Sequence, residues 1–323
     1  MGFYIRRNKQ LLIRIVLAVI VLFIFYEQFY CDLMDTITTK ETSRLDKLEI
    51  YNYVSPNAPS SSQDLIVILT PGVSLSMVPR LKLLDVNLSD NFTTPLLIMY
   101  SSYTPQDRLK QLAKSARRQM MFVDFSVIFT LYPPGFDRCR TRTTYWRRGK
   151  WNYHQMIRFW FKILFELPLF KQYEYIMRLD DDSLVQGVWI NVFEEMRKKR
   201  AVYFANDEDV DLETSLPGMM RLPYTALKYA ISNNITIKQP QLVVRGFADN
   251  HILNYFNNFE VIKLEFFRRK DVWKWIEEVD RTNGIFKYRW GDAPLRYITL
   301  AMFAEADEVL HRSRYNLSYC HKC

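Results

Sequence analysis

Residues 175–182 read Y-I-M-R-L-D-D-D, and the fold prediction starts from this stretch. The segment from Tyr175 to Leu179 is short and mainly apolar, which is typical of a buried strand. Three aspartates follow it directly: Asp180, Asp181 and Asp182. Ligands of open α/β sheets bind beyond the carboxyl ends of the strands, and carboxylates two residues apart can converge on one hard cation. The segment therefore predicts a metal site, and the alternative is a solvated acidic turn.

Strands and helices alternate on both sides of this segment. The predicted strands are residues 65–69, 95–100, 121–131, 175–179 and 201–204. The predicted helices are residues 75–88, 105–118, 153–167 and 188–199, and residues 206–213 read as an acidic loop. This alternation predicts an α/β domain with a mainly parallel central sheet flanked by helices.

The amino-terminal segment predicts a membrane anchor. Residues 11–30 are almost wholly apolar, and about 20 such residues span a bilayer core. Arg6, Arg7 and Lys9 precede the segment, so the positive-inside rule places the amino terminus in the cytosol. The predicted organisation is a cytoplasmic tail, a transmembrane signal anchor, a luminal stem and a catalytic domain, at residues 1–10, 11–30, 31–62 and 63–323.

Sequons and cysteines agree with a luminal domain. N-x-S/T sequons, which are candidate glycosylation sites, occur at Asn87, Asn91, Asn234 and Asn316. The four cysteines are Cys31, Cys139, Cys320 and Cys323. They permit two disulfides, whose pairing the sequence leaves open. A zinc knuckle at residues 320–323 is the weaker alternative, because a structural zinc site needs four ligands.

Composition excludes several classes of protein. Of the 323 residues, 49% are hydrophobic and only 9 are glycine, which excludes a disordered or fibrous chain. The net charge of +9 does not indicate nucleic acid, because the basic residues are scattered and form no known nucleic-acid motif. No nucleic-acid partner is predicted.

Three blocks of sequence carry a family resemblance. Residues 151–159 (W-N-Y-H-Q-M-I-R-F) and the acidic strand end resemble the Y-x-x-M-C-R-F and Y-Y-W-R-V-E-P segments of the fungal α-1,2-mannosyltransferases of glycosyltransferase family 15. Residues 257–261 (N-N-F-E-V) and 288–294 (Y-R-W-G-D-A-P) resemble its S-N-F-E-I and E-R-W-G-D-A-P. Residues 311–323 resemble its closing I-G-Y-Y-H. The resemblance implies a GT-A-like nucleotide-diphospho-sugar transferase fold.

The resemblance also implies a metal–nucleotide site. Asp180 and Asp182 match the two acids of the family's E-P-D-like motif, and His321 matches a histidine ligand of the metal. Here Asp180 replaces a glutamate and Asp181 replaces the proline, so the family pattern does not fix the ligand geometry or the metal preference. A neutral imidazole beside carboxylates suits Mn²⁺ better than Mg²⁺. The expected cofactor is Mn²⁺ or another divalent cation.

Further residues receive expected roles. The resemblance implies catalytic roles for Tyr153, as a nucleophile or a residue near the anomeric carbon, and for Glu260 and Asp292. Arg158 is predicted on the nucleotide side, since arginine pairs well with phosphates, and Arg178 is predicted as a structural partner of the acids. The nucleotide or donor sugar is further expected to contact the three aspartates and residues of the 257–261 and 288–294 segments: Asp180, Asp181, Asp182, Asn258, Trp290 and Gly291.

The expected function follows from these observations and the resemblance together. It is a retaining, metal-dependent α-mannosyltransferase of the Golgi membrane, which transfers mannose from GDP-mannose to a mannose-bearing oligosaccharide or glycoprotein. Mannose, GDP and the α-1,2 linkage depend on the resemblance alone. One alternative is an enzyme of the same fold with another donor or acceptor. The other is a catalytically inert, luminal glycan-binding homologue.

Overall fold

A computed structural model describes residues 13–26, 29, 48, 50–53, 62–137, 141–144 and 150–322. The predicted cytoplasmic tail lies outside the described residues, as do most of the predicted stem and Cys31, Cys139 and Cys323. Within the predicted anchor, residues 13–26 are helical. Among the described residues, no helix has both the length and the apolar character needed to cross a membrane.

Apart from the helical residues 13–26, the described residues form twelve strands and eleven α-helices. The strands are β1 (Ile50–Tyr53), β2 (Asp64–Thr70), β3 (Leu96–Tyr100), β4 (Met120–Asp124), β5 (Tyr175–Asp180), β6 (Ser183–Gln186), β7 (Tyr203–Ala205), β8 (Glu208–Leu212), β9 (His251–Tyr255), β10 (Phe259–Lys263), β11 (Val309–His311) and β12 (Ser318–His321).

The helices are α1 (Val78–Asn87), α2 (Gln106–Ala113), α3 (Lys150–Arg158), α4 (Leu164–Glu166), α5 (Val192–Lys199), α6 (Arg221–Ser232), α7 (Pro240–Val244), α8 (Leu264–Arg268), α9 (Lys270–Thr282), α10 (Gly284–Tyr288) and α11 (Asp292–Phe303). A π-helical turn, Phe159–Ile163, joins α3 to α4.

A central sheet of eight strands carries the domain, in the order β1-β4-β3-β2-β5-β10-β7-β11. Strands β4, β3, β2 and β5 are mutually parallel, and β11 is parallel to β7. Strands β1 and β10 are antiparallel to their neighbours. The predicted α/β domain with a mainly parallel sheet is confirmed.

Helices cover both faces of the sheet because the central strands are apolar on both sides. In β5, Ile176 packs into one hydrophobic cluster, while Tyr175, Met177 and Leu179 pack into the cluster on the other face. This alternation follows the two-residue period of a strand. Two small sheets, β12 with β6 and β8 with β9, extend the domain at the ends of the central strands.

Two predicted elements were wrong. The strand expected at residues 121–131 ends at Asp124, and Ser126–Thr130 forms a 3₁₀ helix with Ser126 N donating to Asp124 Oδ1 at 2.9 Å. The predicted acidic loop at residues 206–213 is strand β8, which pairs with β9 over five residues. In both cases hydrogen bonding outweighed residue type, because side-chain caps and ladder partners decide where a strand begins and ends.

The structure separates the four sequons by exposure. Asn91, Asn234 and Asn316 are exposed, whereas Asn87 is buried and its Nδ2 donates to Val185 O at 2.7 Å. This bond joins the end of α1 to β6. A glycan on Asn87 would have to break it and open the packing around it, so the structure does not favour Asn87 as a glycosylation site.

We expect Asn87→Ala to lower the free energy of unfolding by about 1–3 kcal/mol, because the Val185 carbonyl loses its buried donor. Urea unfolding followed by circular dichroism measures this loss. Asn91→Gly is the matched control: Asn91 is exposed, and glycine tolerates its left-handed φ of 52°. Equal stability of the two variants would contradict a structural role for the Asn87 amide.

Candidate active site

Four segments meet at the carboxyl edge of the parallel strands. Strand β5 ends at Asp180, beside Leu69 of the parallel strand β2. Strand β12 pairs with β6 so that His321 lies opposite Ser183. Helix α11 begins at Asp292, and its amino terminus faces the same edge, since Asp292 contacts Arg178 of β5. Residues from distant parts of the sequence are thereby brought to one cavity.

The cavity has a volume of about 400 Å³ and a surface that is about half polar. Its charged lining consists of six aspartates and three basic side chains: Asp180, Asp181, Asp182, Asp209, Asp211, Asp292, Arg178, Arg289 and Lys322. The formal net charge of this lining is therefore −3. Such a cavity attracts cations and disfavours an isolated anion.

The first and third aspartates of the triplet form a candidate metal centre with His321. Ligand atoms of Asp180, Asp182 and His321 all lie within 4.8 Å of one another. Asp182 Oδ1 is 3.0 Å from His321 Nδ1, and this oxygen is buried without accepting a hydrogen bond from the described residues. Two carboxylates and one imidazole at this spacing fit a divalent cation such as Mn²⁺. The predicted ligand set is therefore brought together.

Arg178 lies at the centre of the acids, as predicted. Its Nε donates to Asp180 Oδ1 at 3.2 Å, its Nη1 donates to Asp292 Oδ2, and the same nitrogen is 3.7 Å from Glu260 Oε1. The guanidinium carbon lies 4.4 Å from the centre of the Trp160 ring. One buried cation thus holds three carboxylates and a tryptophan face in fixed positions.

Burial and charge shift the pKa values of this cluster. Burial alone would lower the pKa of Arg178, but Asp180, Asp292 and Glu260 together raise it above its ordinary value. Burial raises the pKa of Asp180, and Arg178 opposes that shift. Arg178 is therefore a permanent cation, and it compensates part of the cost of keeping Asp180 ionised in a buried position.

Glu260 lies behind the cavity rather than in its lining. It is opposite Arg178 in the antiparallel pairing of β10 with β5 and is fully buried. Its Oε2 accepts a hydrogen bond from Arg296 Nε at 3.1 Å. The geometry makes Glu260 an ion partner of two arginines, and its catalytic role stays a prediction.

Tyr153 and Arg289 form a pair on the wall of the cavity. Arg289 Nη2 donates to Tyr153 Oη at 2.9 Å, and its guanidinium lies 5.1 Å from the ring centre. Burial raises the pKa of the Tyr153 phenol, Asp292 raises it further, and Arg289 opposes both. The phenol is therefore neutral at neutral pH. This favours Tyr153 as a hydrogen-bond donor near the sugar over Tyr153 as an anionic nucleophile.

We expect Tyr153→Phe to lower the rate of sugar transfer by about a hundredfold, the loss typical of removing one positioned donor. Since the pKa of Tyr153 lies above its usual value of 10.0, the wild-type and Phe pH–rate profiles should have the same shape below that pH. Steady-state assays across this range measure both quantities. A loss of roughly 10⁴-fold or more would instead indicate a nucleophile.

Other predicted residues are divided between the cavity and the core. Asn258 and Gly291 line the cavity, and Asn258 O accepts a hydrogen bond from Asp180 N at 2.9 Å. Arg158 and Trp290 do not line it. The Arg158 guanidinium is buried against Asp280, with bonds of 2.7 and 2.8 Å, and Trp290 Nε1 donates to Gly218 O at 3.0 Å. Both make structural contacts outside this lining, and their expected contact with the donor stays a prediction.

The sequence did not single out several lining residues. Asp209 and Asp211 of β8, together with Arg289, contribute to the charged wall, and Asn254 and Phe256 lie near them. Burial raises the pKa of Asp211, with Arg289 opposing. The acidic stretch at residues 206–213 was the sequence feature that could have identified the two aspartates as candidate site residues. Arg289 belongs to the Y-R-W-G-D-A-P string at residues 288–294, and that string was its signal.

Comparisons with known proteins identify the family of the chain. Residues 139–323 match the family model described as Glycolipid 2-alpha-mannosyltransferase. Probable mannosyltransferase KTR4 of Saccharomyces cerevisiae is 26% identical over 171 residues, which cover 49% of this chain and 36% of that protein. The Glycolipid 2-alpha-mannosyltransferase of the same yeast is 20% identical over 298 residues, covering 87% and 66%. The chain thus spans between about one third and two thirds of these relatives' lengths.

Solved structures share the fold. Core-mannan synthase A from Aspergillus fumigatus, in its Mn/GDP form, aligns with a TM-score of 0.67 at 20% identity, covering 82% of this chain and 77% of that one. The mannosyltransferase Ktr4p from S. cerevisiae aligns with a TM-score of 0.67 at 18% identity, covering 89% and 80%. The family model covers more than half of the chain and includes Tyr153, the acidic triplet, Asp292 and His321. The chain belongs to the Glycolipid 2-alpha-mannosyltransferase family.

Proposed function

We propose that the protein is a metal-dependent, retaining α-mannosyltransferase that transfers mannose from GDP-mannose to a mannose-bearing glycan, forming an α-1,2 linkage. One observation carries the proposal. Ligand atoms of Asp180, Asp182 and His321 converge at the carboxyl edge of the parallel strands. The family to which the chain belongs is described as Glycolipid 2-alpha-mannosyltransferase. The neighbour solved in its Mn/GDP form supports the same cation and nucleotide.

Asp180, Asp182 and His321 would hold the cation. A divalent ion bound there would neutralise the diphosphate of the donor and stabilise it as a leaving group. Arg178 fixes Asp180 from behind through its hydrogen bond to Oδ1. The metal preference expected from one imidazole and two carboxylates is Mn²⁺ over Mg²⁺.

Asp292, Tyr153 and the acidic wall would contact the sugars. Asp292 Oδ2 accepts hydrogen bonds from Arg178 Nη1 and from Asn257 Nδ2, the latter at 2.9 Å, so its other oxygen can accept a sugar hydroxyl. The Tyr153 phenol can donate to the donor sugar. Carboxylates around the anomeric carbon stabilise its positive charge during transfer, as they do in glycosidases. Asp209 and Asp211 can accept hydrogen bonds from the hydroxyl groups of a neutral acceptor.

The proposed location is the Golgi membrane, with a single amino-terminal anchor and the catalytic domain in the lumen. The apolar run at residues 11–30 and the basic residues before it support this topology. Cys320 is disulfide-bonded, which fits an oxidising compartment. Protease protection of the catalytic domain in sealed Golgi vesicles tests the topology, and cleavage without detergent would overturn it.

The function is tested with radiolabelled GDP-mannose and simple α-mannosides in the presence of Mn²⁺. We expect a mannosylated product that is lost on addition of EDTA, and an α-1,2 linkage by NMR. The same assay tests two alternative functions, which are considered because Asp180 and Asp181 depart from the family's E-P-D pattern. Turnover of another nucleotide sugar but not of GDP-mannose would establish a changed donor. Binding of glycans without turnover of any donor would establish an inert homologue.

A further inference from the structure

The middle aspartate of the triplet is held by a threonine of the neighbouring strand. Thr70 Oγ1 donates to Asp181 Oδ2 at 2.6 Å, although the two residues are 111 positions apart in the sequence. Thr70 is the last residue of β2 and is 3% exposed. The strand register places Leu69 beside Asp180, so Thr70 follows at the level of Asp181.

The hydrogen-bond geometry assigns the single hydroxyl proton of Thr70. Thr70 Oγ1 lies 3.1 Å from Gly72 O and 2.6 Å from the Asp181 carboxylate. The shorter contact is in the range of strong O–H···O⁻ bonds, so the proton is directed to Asp181. Gly72 N in turn donates to Thr70 Oγ1 at 3.4 Å. The hydroxyl is therefore both donor and acceptor in a fixed orientation.

This bond separates Asp181 from the metal centre. Asp181 and Asp182 form the turn between β5 and β6, and within this turn the Asp181 carboxylate contacts Thr70 of β2. Only Asp180 and Asp182 join the cluster with His321. Beyond the triplet, Ser183 Oγ and Tyr319 Oη form a second hydrogen bond of 2.5 Å. The triplet is thus attached to β2 on one side and to β12 on the other.

We propose that Thr70 is a positioning residue for the metal centre, acting through Asp181 to hold Asp180 and Asp182 in ligating geometry. The inference depends on the metal site of the proposed function. In the related family motif a proline stands at the position of Asp181, and proline restricts the backbone through its ring. Here an inter-strand hydrogen bond supplies the constraint.

The test is a titration of the full chain with Mn²⁺ alone, in which electron paramagnetic resonance measures the concentration of free Mn²⁺. Thr70→Val removes the hydroxyl at nearly constant volume, and we expect it to raise the Mn²⁺ dissociation constant about tenfold, the low end of the range for groups that orient metal ligands. Thr70→Ser keeps the hydroxyl and should restore most of the affinity. Thr130→Val is the matched control, because the Thr130 hydroxyl donates to Val127 O outside the cavity.

An Asp181→Ala background shows whether Thr70 acts through Asp181. There, Thr70→Val should have no further effect on Mn²⁺ affinity, as in a double-mutant cycle with a single coupled pair. If Asp181 were itself a ligand, Thr70→Val would release its carboxylate and tighten Mn²⁺ binding, which would overturn the proposal. The proposal would also be overturned if Thr70→Val bound Mn²⁺ with the same affinity as Thr130→Val. Absence of Mn²⁺ binding by the unsubstituted protein would overturn the metal site itself.

Discussion

Asp182→Asn is expected to weaken Mn²⁺ binding by more than about a hundredfold, beyond the range seen for residues that only orient a ligand. The amide retains the shape of the side chain but removes the anionic oxygen that lies 3.0 Å from His321 Nδ1. The proposed transfer from GDP-mannose should fall at least as far. Calorimetric titration with Mn²⁺ and the radiochemical transfer assay measure the two losses.

The stability of Asp182→Asn separates loss of the metal centre from unfolding. Without metal, burial raises the pKa of Asp180, and the negative charge of Asp182 adds to that rise. The neutral amide should therefore leave the metal-free protein as stable as the wild type, or more stable. Asp107→Asn, at a side chain that is 91% exposed, is the matched control and should change neither property. Normal Mn²⁺ affinity in Asp182→Asn would refute the assigned ligand set.

Arg178→Met is expected to lower the free energy of unfolding by about 3–5 kcal/mol, the usual cost of removing one partner from a buried ion pair. The side chain of Arg178 is 4% exposed and contacts three carboxylates that are themselves at least partly buried. Without the guanidinium, Asp292 and Glu260 would be left as close anions in a region of low polarity. Chemical unfolding at pH 7 measures the loss.

The pH dependence of this loss gives a second test. Removing Arg178 should raise the pKa of Asp180 further in the folded protein, because burial already raises it and Arg178 opposes that rise. A carboxylate with a raised folded pKa adds stability as the pH falls, so the deficit of Arg178→Met should shrink on acidification. Arg197→Met is a useful control, because the Arg197 side chain is 34% exposed, against 4% for Arg178, so solvent screens the charges of its partners more strongly. A deficit that does not change with pH would argue against uncompensated charge.

Short-range sequence patterns predicted the acidic strand end and the sheet around it. An apolar strand followed at once by carboxylates is a local feature, and parallel strands bring their carboxyl ends to one edge whatever loops connect them. His321 could be predicted only from the match to a family segment, because its position beside the aspartates depends on the pairing of β12 with β6. Strand pairing between distant segments leaves little trace in a single sequence.

Long-range partners explain the placements that the sequence missed. Arg158 has a plausible phosphate-binding side chain, but its partner Asp280 lies 122 residues away, and nothing near Arg158 signals that pair. The same is true of Tyr153 and Arg289, which are 136 residues apart. Arginine binds phosphates and carboxylates through the same planar fork, so residue type alone could not decide between them.

The charge of the cavity determines how nucleotide binding depends on ionic strength. With six aspartates and three basic residues in the lining, an anionic nucleotide without a divalent cation meets net repulsion. Added salt screens that repulsion, so cation-free binding of GDP should become tighter as salt rises. With Mn²⁺ bound, the interaction is attractive and salt should weaken it. The protein would then release nucleotide in a dilute, metal-poor medium and retain it where manganese is plentiful.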